Sequence, residues 1–167
     1  MNPEITFNID KDAAQIYVMM IFPTEVSVVW DFFTKSELLD WWWAPKPWKA
    51  ETFSLDFFPN GKWHYAMIGP EGDKHYAGAT FNEINQHRSF DYTDYFTDEK
   101  GNKSTDFPEV NWLFGFTGVE EGTKLTINIH HKSPENLQEM QEMGFEEGFK
   151  QVLNQLYTIL SQKDPHR

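Results

Sequence analysis

The chain has 167 residues, 40% of them hydrophobic and 24% charged, which fits one globular domain with a substantial core. A formal net charge of −12 without clustered basic residues argues against a nucleic-acid or anionic-membrane surface. The absence of cysteine excludes disulfides, thiol catalysis and cysteine-based zinc sites.

Residues 1–12, "MNPEITFNIDKD", read as a frayed arm or a short leading strand and carry no signal-peptide pattern. Ala14 to Phe22, "AQIYVMMIF", is rich in β-formers and reads as a strand ended by Pro23. Its apolar run is far too short to cross a bilayer, so a cytoplasmic location is expected. In "PTEVSVVWDFF" the period changes. Thr24 is the expected N-cap, and Val26, Val29, Trp30 and Phe33 share a helical face. Ser36 is expected to cap a second short helix through Leu38, Leu39 and Trp42, stopped by Pro45 and Pro47.

That helix ends in three consecutive tryptophans, Trp41, Trp42 and Trp43. A helix turns by about 100° per residue and a strand by about 180°, so no regular element buries all three on one face. Trp42 continues the Leu38/Leu39 face and is expected in the core. Of Trp41 and Trp43, one is expected at a cavity rim and the other toward solvent or a partner.

From Ala50 the helical signal stops. "ETFSLDFF" and "GKWHYAMI" are strands joined by the turn "PNG" at 59–61. "GPEGD" at 69–73 turns into "HYAGATFNEI", then "SFDYTDYFT", and "DEKGN" at 98–102 turns again. "EVNWLFGFTGV" and "TKLTINIHH" form the last hairpin. Setting Gly118 against Thr123 pairs Phe116 with Leu125, Phe114 with Ile127 and Trp112 with Ile129. This register gives one apolar and one largely polar face, whereas a one-residue slip mixes them. Ser133 as N-cap and Pro134 at the first helical position open one long helix to Leu160, roughly 35–40 Å in length. Its stripe includes Met140, Phe145, Phe149, Val152, Leu153 and Leu156. Residues 163–167 read as a tail and residues 13–162 as a single domain.

The order of elements gives an α+β fold: a curved antiparallel sheet of about seven strands around a long C-terminal helix, with two short helices after the first strand. From about Ala14 to Leu160 the chain resembles the homologues of the activator of heat-shock-protein-90 ATPase, within the START-like and Bet v 1-like (SRPBCC) superfamily of helix-grip proteins. "FPTEVSVVWDFFTKSELLDWW" is similar to that family's opening helix pair and its closing Trp-Trp element, here Trp41 to Pro45. "FSLDFFPNGKWHYAMIGPEGDKHYAGATFNEI" is similar to its signature block, with Asn60-Gly61 where Gly-Gly is common. The resemblance implies a cavity between sheet and helix that holds a small apolar molecule. The co-chaperone that gives the family its name has an additional N-terminal domain, which this chain is expected to lack, so chaperone activation is not the expected role.

The cavity candidates are Trp42, Trp43, Trp63, Tyr65, Trp112, Phe114, His131, Phe145, Phe149 and Tyr157. His131, Tyr65 and Tyr157 are the polar groups that could orient a ligand. Gly144 and Gly148 on the long helix serve either close packing or ligand volume. His130 and His131 point to opposite faces, and His64 and His75 are expected toward solvent, so no metal is expected. Asp91, Asp94, Asp98, Glu146 and Glu147 are expected on solvated faces. No cofactor and no catalytic residue is expected. The expected function is binding or transport of a small hydrophobic ligand by a monomer or homodimer. The alternatives are a cyclase- or hydrolase-like enzyme using the same cavity, or a co-chaperone or stress-response interaction module.

Overall fold

The alternating segments pair into a single antiparallel sheet. The computed structural model describes residues 3–162. Its strands are β1 (Thr6–Asp10), β2 (Gln15–Phe22), β3 (Lys49–Leu55), β4 (Lys62–Ile68), β5 (Lys74–Asn85), β6 (Ser89–Phe96), β7 (Val110–Val119) and β8 (Gly122–His130). The helices are α1 (Val26–Thr34), α2 (Ser36–Trp42), α3 (Pro134–Glu142) and α4 (Phe145–Leu160). Strand order across the sheet is β1-β2-β8-β7-β6-β5-β4-β3. The pair α1 and α2 therefore carries the chain from one side of the sheet to the other. The strand beyond the expected seven is β1, which adds to β2 from Thr6↔Met19 to Asp10↔Gln15. The expected tail lies outside the described residues.

The β7–β8 register is the one set by face separation, with Phe116↔Leu125, Phe114↔Ile127 and Trp112↔Ile129. Ile16, Val18, Met20 and Phe22 of β2 continue the same buried face, paired with Ile129, Ile127, Leu125 and Thr123. Register shifts between Thr52 and Ser54 and between Phe81 and Ile84 mark irregularities in the β3–β4 and β5–β6 ladders, where a strand bends and its local twist increases. Val29, Trp30 and Phe33 of α1 and Leu39 and Trp42 of α2 are buried in the core.

The helix ends depart from expectation at three points. Thr24 does not cap α1: Glu25 holds the N-cap position, and the Thr24 carbonyl accepts from Thr123 Oγ1 at 2.7 Å. Ser36 is the first residue of α2 rather than its cap. The single long helix is two helices, because Gly144 adopts the left-handed region at φ 84° and breaks the run between α3 and α4. Ser133 does cap α3, accepting from the Asn136 N–H at 3.1 Å, with Pro134 following it. Leu137 and Met140 of α3 pack against the core, and α4 supplies most of the helical cover over the inner face of the sheet. It buries Phe149, Val152, Leu153, Leu156, Ile159 and Leu160.

Candidate functional site

Between α4 and the β4–β7 part of the sheet lies a cavity of about 260 Å³. Strand alternation places most of its wall. Tyr65 and Met67 come from the inward face of β4, Asp94 and Phe96 from β6, and Val110 and Trp112 from β7. The helical side supplies Met140, Phe145, Gly148, Phe149 and Val152. Trp43 and Pro45, just after α2, close one end. His75, Ala77, Tyr95 and Pro108 complete the lining.

Hydrogen bonds hold these parts in place. Gln155 of α4 donates to the carbonyls of Trp42 (3.2 Å) and Ala44 (2.9 Å) and accepts from the Lys46 N–H (2.9 Å), tying the tryptophan segment to the helix. Asp40 of α2 accepts from the Thr52 hydroxyl (2.6 Å), which in turn accepts from Trp63 Nε1 (3.1 Å). Trp63 stacks on Tyr65 with ring centroids 4.1 Å apart. The Trp43 indole donates to the Tyr65 hydroxyl at 3.1 Å.

Of the ten cavity candidates, Trp43, Tyr65, Trp112, Phe145 and Phe149 line this space. The other five do not. Trp63 and Phe114 share the inner face but lie one step farther along their strands, stacked on Tyr65 and Trp112 respectively. Trp42 is fully buried, donates to the Phe32 carbonyl at 3.0 Å and packs edge-on against Trp43. Tyr157 lies against Phe22, toward the C-terminal end of α4, because its position falls about two turns beyond Phe149 and more than one beyond Val152. His131 is buried beside an adjoining space of about 30 Å³ that shares Phe96, Pro108, Val110 and Met140 with the main cavity. Burial lowers its pKa, and neither ring nitrogen has a hydrogen-bond partner.

Gly148 borders the cavity, and a Cβ there would have no neighbour within 4 Å. The missing side chain is therefore empty volume. Gly144 has a different role, the helix break. Trp41 is half-buried, with its ring 5.9 Å from that of Phe32.

The group that sequence reasoning misplaced is Asp94. Strand parity in "SFDYTDYF" puts it on the face of Phe90, Tyr92 and Phe96, and that alternation is the signal that was available. Asp94 keeps some accessible surface because it opens on the cavity, while protein surrounds it elsewhere. Burial pushes its carboxyl up to about 7. The Trp112 N–H partly offsets the shift, although it stands outside regular hydrogen-bond geometry. Tyr65 and Tyr92 are both raised above the ordinary phenol range. Burial is the main cause in each, and the Asp94 charge adds to it. His75 pairs with Met67 and so reaches the cavity, whereas His64 pairs with Gly78 on the other face. His75 is largely exposed, which puts it at the rim. No cluster of His, Asp or Glu suited to a metal occurs among the described residues. No helix among them is long and apolar enough to cross a membrane.

A solved protein from Arthrobacter aurescens is 28% identical, superposes with a TM-score of 0.88, and the match covers 97% of this chain and 95% of that one. One from Mycobacterium smegmatis is 28% identical, with a TM-score of 0.87 and 98% and 100% covered. One from Staphylococcus epidermidis is 27% identical, with a TM-score of 0.83 and 97% of each chain covered. No curated protein matches significantly. The family model described as "Activator of Hsp90 ATPase homolog 1-like protein" matches residues 23–161. With this match over most of its length and the helix-grip arrangement of sheet and α4, the chain belongs to that family.

Proposed function

We propose that this protein binds a small hydrophobic molecule in the cavity between the sheet and α4. The observation that carries the reading is an apolar space of about 260 Å³ walled largely by aromatic side chains, among them Trp43, Tyr65, Trp112, Phe145 and Phe149, with few polar groups to fix orientation. A dry cavity of about 150 Å³ admits one benzene ring, so this one suits about ten non-hydrogen atoms. Affinity would come from desolvation and shape. The tryptophan triplet does not supply the exposed apolar patch an interaction module would use, because Trp42 and Trp43 are buried. Native mass spectrometry of protein purified from its own host tests the reading. A bound mass released on denaturation supports it. A bare chain whose interior also takes up no apolar probe counts against it.

A second reading, an enzyme using the same cavity, is favoured by one observation. An inward carboxyl held near neutrality is suited to move protons at physiological pH. Turnover of an aromatic or ester substrate, lost in Asp94→Asn with the fold intact, would support it. No turnover across such a panel would remove it.

A further inference from the structure

The charge of the lining selects among hydrophobic molecules. The charged or titratable side chains on the cavity wall are Asp94, Tyr65, Tyr95 and His75, and none is a lysine or arginine. The helical side offers Met140, Phe145, Phe149 and Val152 with Gly148 between them, all uncharged. The nearby cations are committed elsewhere. Lys150 pairs with Glu146 at 2.8 Å, and Lys103 pairs with Glu109 at 2.8 Å. No lysine, arginine or histidine among the described residues forms an ion pair with Asp94. The Trp43, Trp112, Phe145 and Phe149 rings surround the same space. Neighbouring centroids are 5.3–6.2 Å apart, from Phe145–Phe149 to Trp43–Trp112 and Trp43–Phe149.

We propose that the ligand is a cationic arylalkyl amine, its apolar body among these rings and its ammonium group on the Asp94 carboxylate. The inference rests on the cavity-binding reading and names the chemical class of its ligand. An aromatic enclosure attracts a cation through its ring quadrupoles, and the carboxylate supplies the unpaired charge that a buried ammonium requires. A carboxylate ligand such as a fatty acid would instead set like charges together with no cation to offset them. The preference for the amine strengthens as Asp94 ionises, so amine affinity rises with pH through neutrality. The other groups facing Asp94 leave that sign unchanged. Tyr65 and Tyr92 stay neutral over this range, the Trp112 N–H does not titrate, and His75 stands at the rim with most of its side chain in solvent.

The test is a calorimetric titration at pH 8 with three probes of matched body: 3-phenylpropylamine, 3-phenylpropanol and 3-phenylpropionate. The amine is expected to bind at least about tenfold tighter than the alcohol, with the carboxylate weakest. In Asp94→Asn the amine is expected to fall to the level of the alcohol, with circular dichroism reporting the fold. The wild-type ranking alone decides the matter should the variant not fold. Binding of the alcohol with no preference for the amine overturns this inference and leaves the cavity-binding reading standing. Binding of none of the three overturns both.

Discussion

Asp94 and the tryptophan pair show how single residues divide stability from binding. A buried carboxyl raised to about 7 is easier to protonate in the folded chain than in the unfolded one. Between its unfolded value near 3.8 and its folded value, the folded state holds the extra proton, so this group makes stability fall as pH rises. Asp94→Asn removes that slope. It should raise stability at pH 8 by on the order of 2–4 kcal/mol and change little at pH 4, read from denaturant midpoints at both values. His131 acts at the acid end. Its pKa is lowered by burial, so its protonation destabilises the fold as pH falls below about 6.5. Trp42→Ala should cost about 3–5 kcal/mol, since it empties a fully buried site and orphans the Phe32 carbonyl. Trp43→Ala should cost less, because one side of that indole already faces open volume, and it should weaken binding more. Equal loss of melting temperature in both would contradict this division. That Trp42 is buried was legible from its helical phase. The assignment of Trp43 rather than Trp41 to the cavity was not, because it depends on where Gln155 ties down the chain after α2.

Among the elements, α4 and the strands facing it set the shape of the cavity. The two glycines of the C-terminal helical region look alike in sequence and have opposite requirements. Gly148→Ala should stabilise by about 0.5–1 kcal/mol, since helix propensity improves and a Cβ meets nothing. Gly148→Leu should keep the melting temperature near wild type while abolishing uptake of an apolar probe, because its side chain occupies the cavity. Gly144→Ala should lose about 1 kcal/mol or more, as it forces an L-residue to φ 84°. Parallel thermal melts of the three variants check the contrast. The strands were readable because each has a single buried face whose period of two is hard to disguise, as the β7–β8 register shows. The helix break was not readable. A glycine inside an apolar stripe is compatible with a continuous helix, and only packing decides its backbone conformation.

At the scale of the molecule, one sheet and the four helices enclose an interior that the aromatic side chains only partly fill. The family resemblance implied a cavity between sheet and helix, and the space lies there. Its chemical character was less legible. Asp94 shares its strand with Asp91, Asp98 follows in the next turn, and composition alone assigns such a run to solvent. Parity within β6 separates Asp94 from Asp91, whose carboxylate accepts from Asn82 Nδ2 at 2.9 Å on an exposed face. A ligand that occupies the interior must also stabilise the whole fold, by about 2.7 kcal/mol at a hundredfold excess over its dissociation constant. The most direct test of the central claim is a nitrogen-15 NMR titration with 3-phenylpropylamine that follows the indole N–H signals of Trp43 and Trp112 and the Gly148 amide. Saturable shifts at these three, with the exposed Phe53 and Phe58 amides unmoved, are the predicted result. Shifts confined to the exposed positions, or none at all, would contradict it.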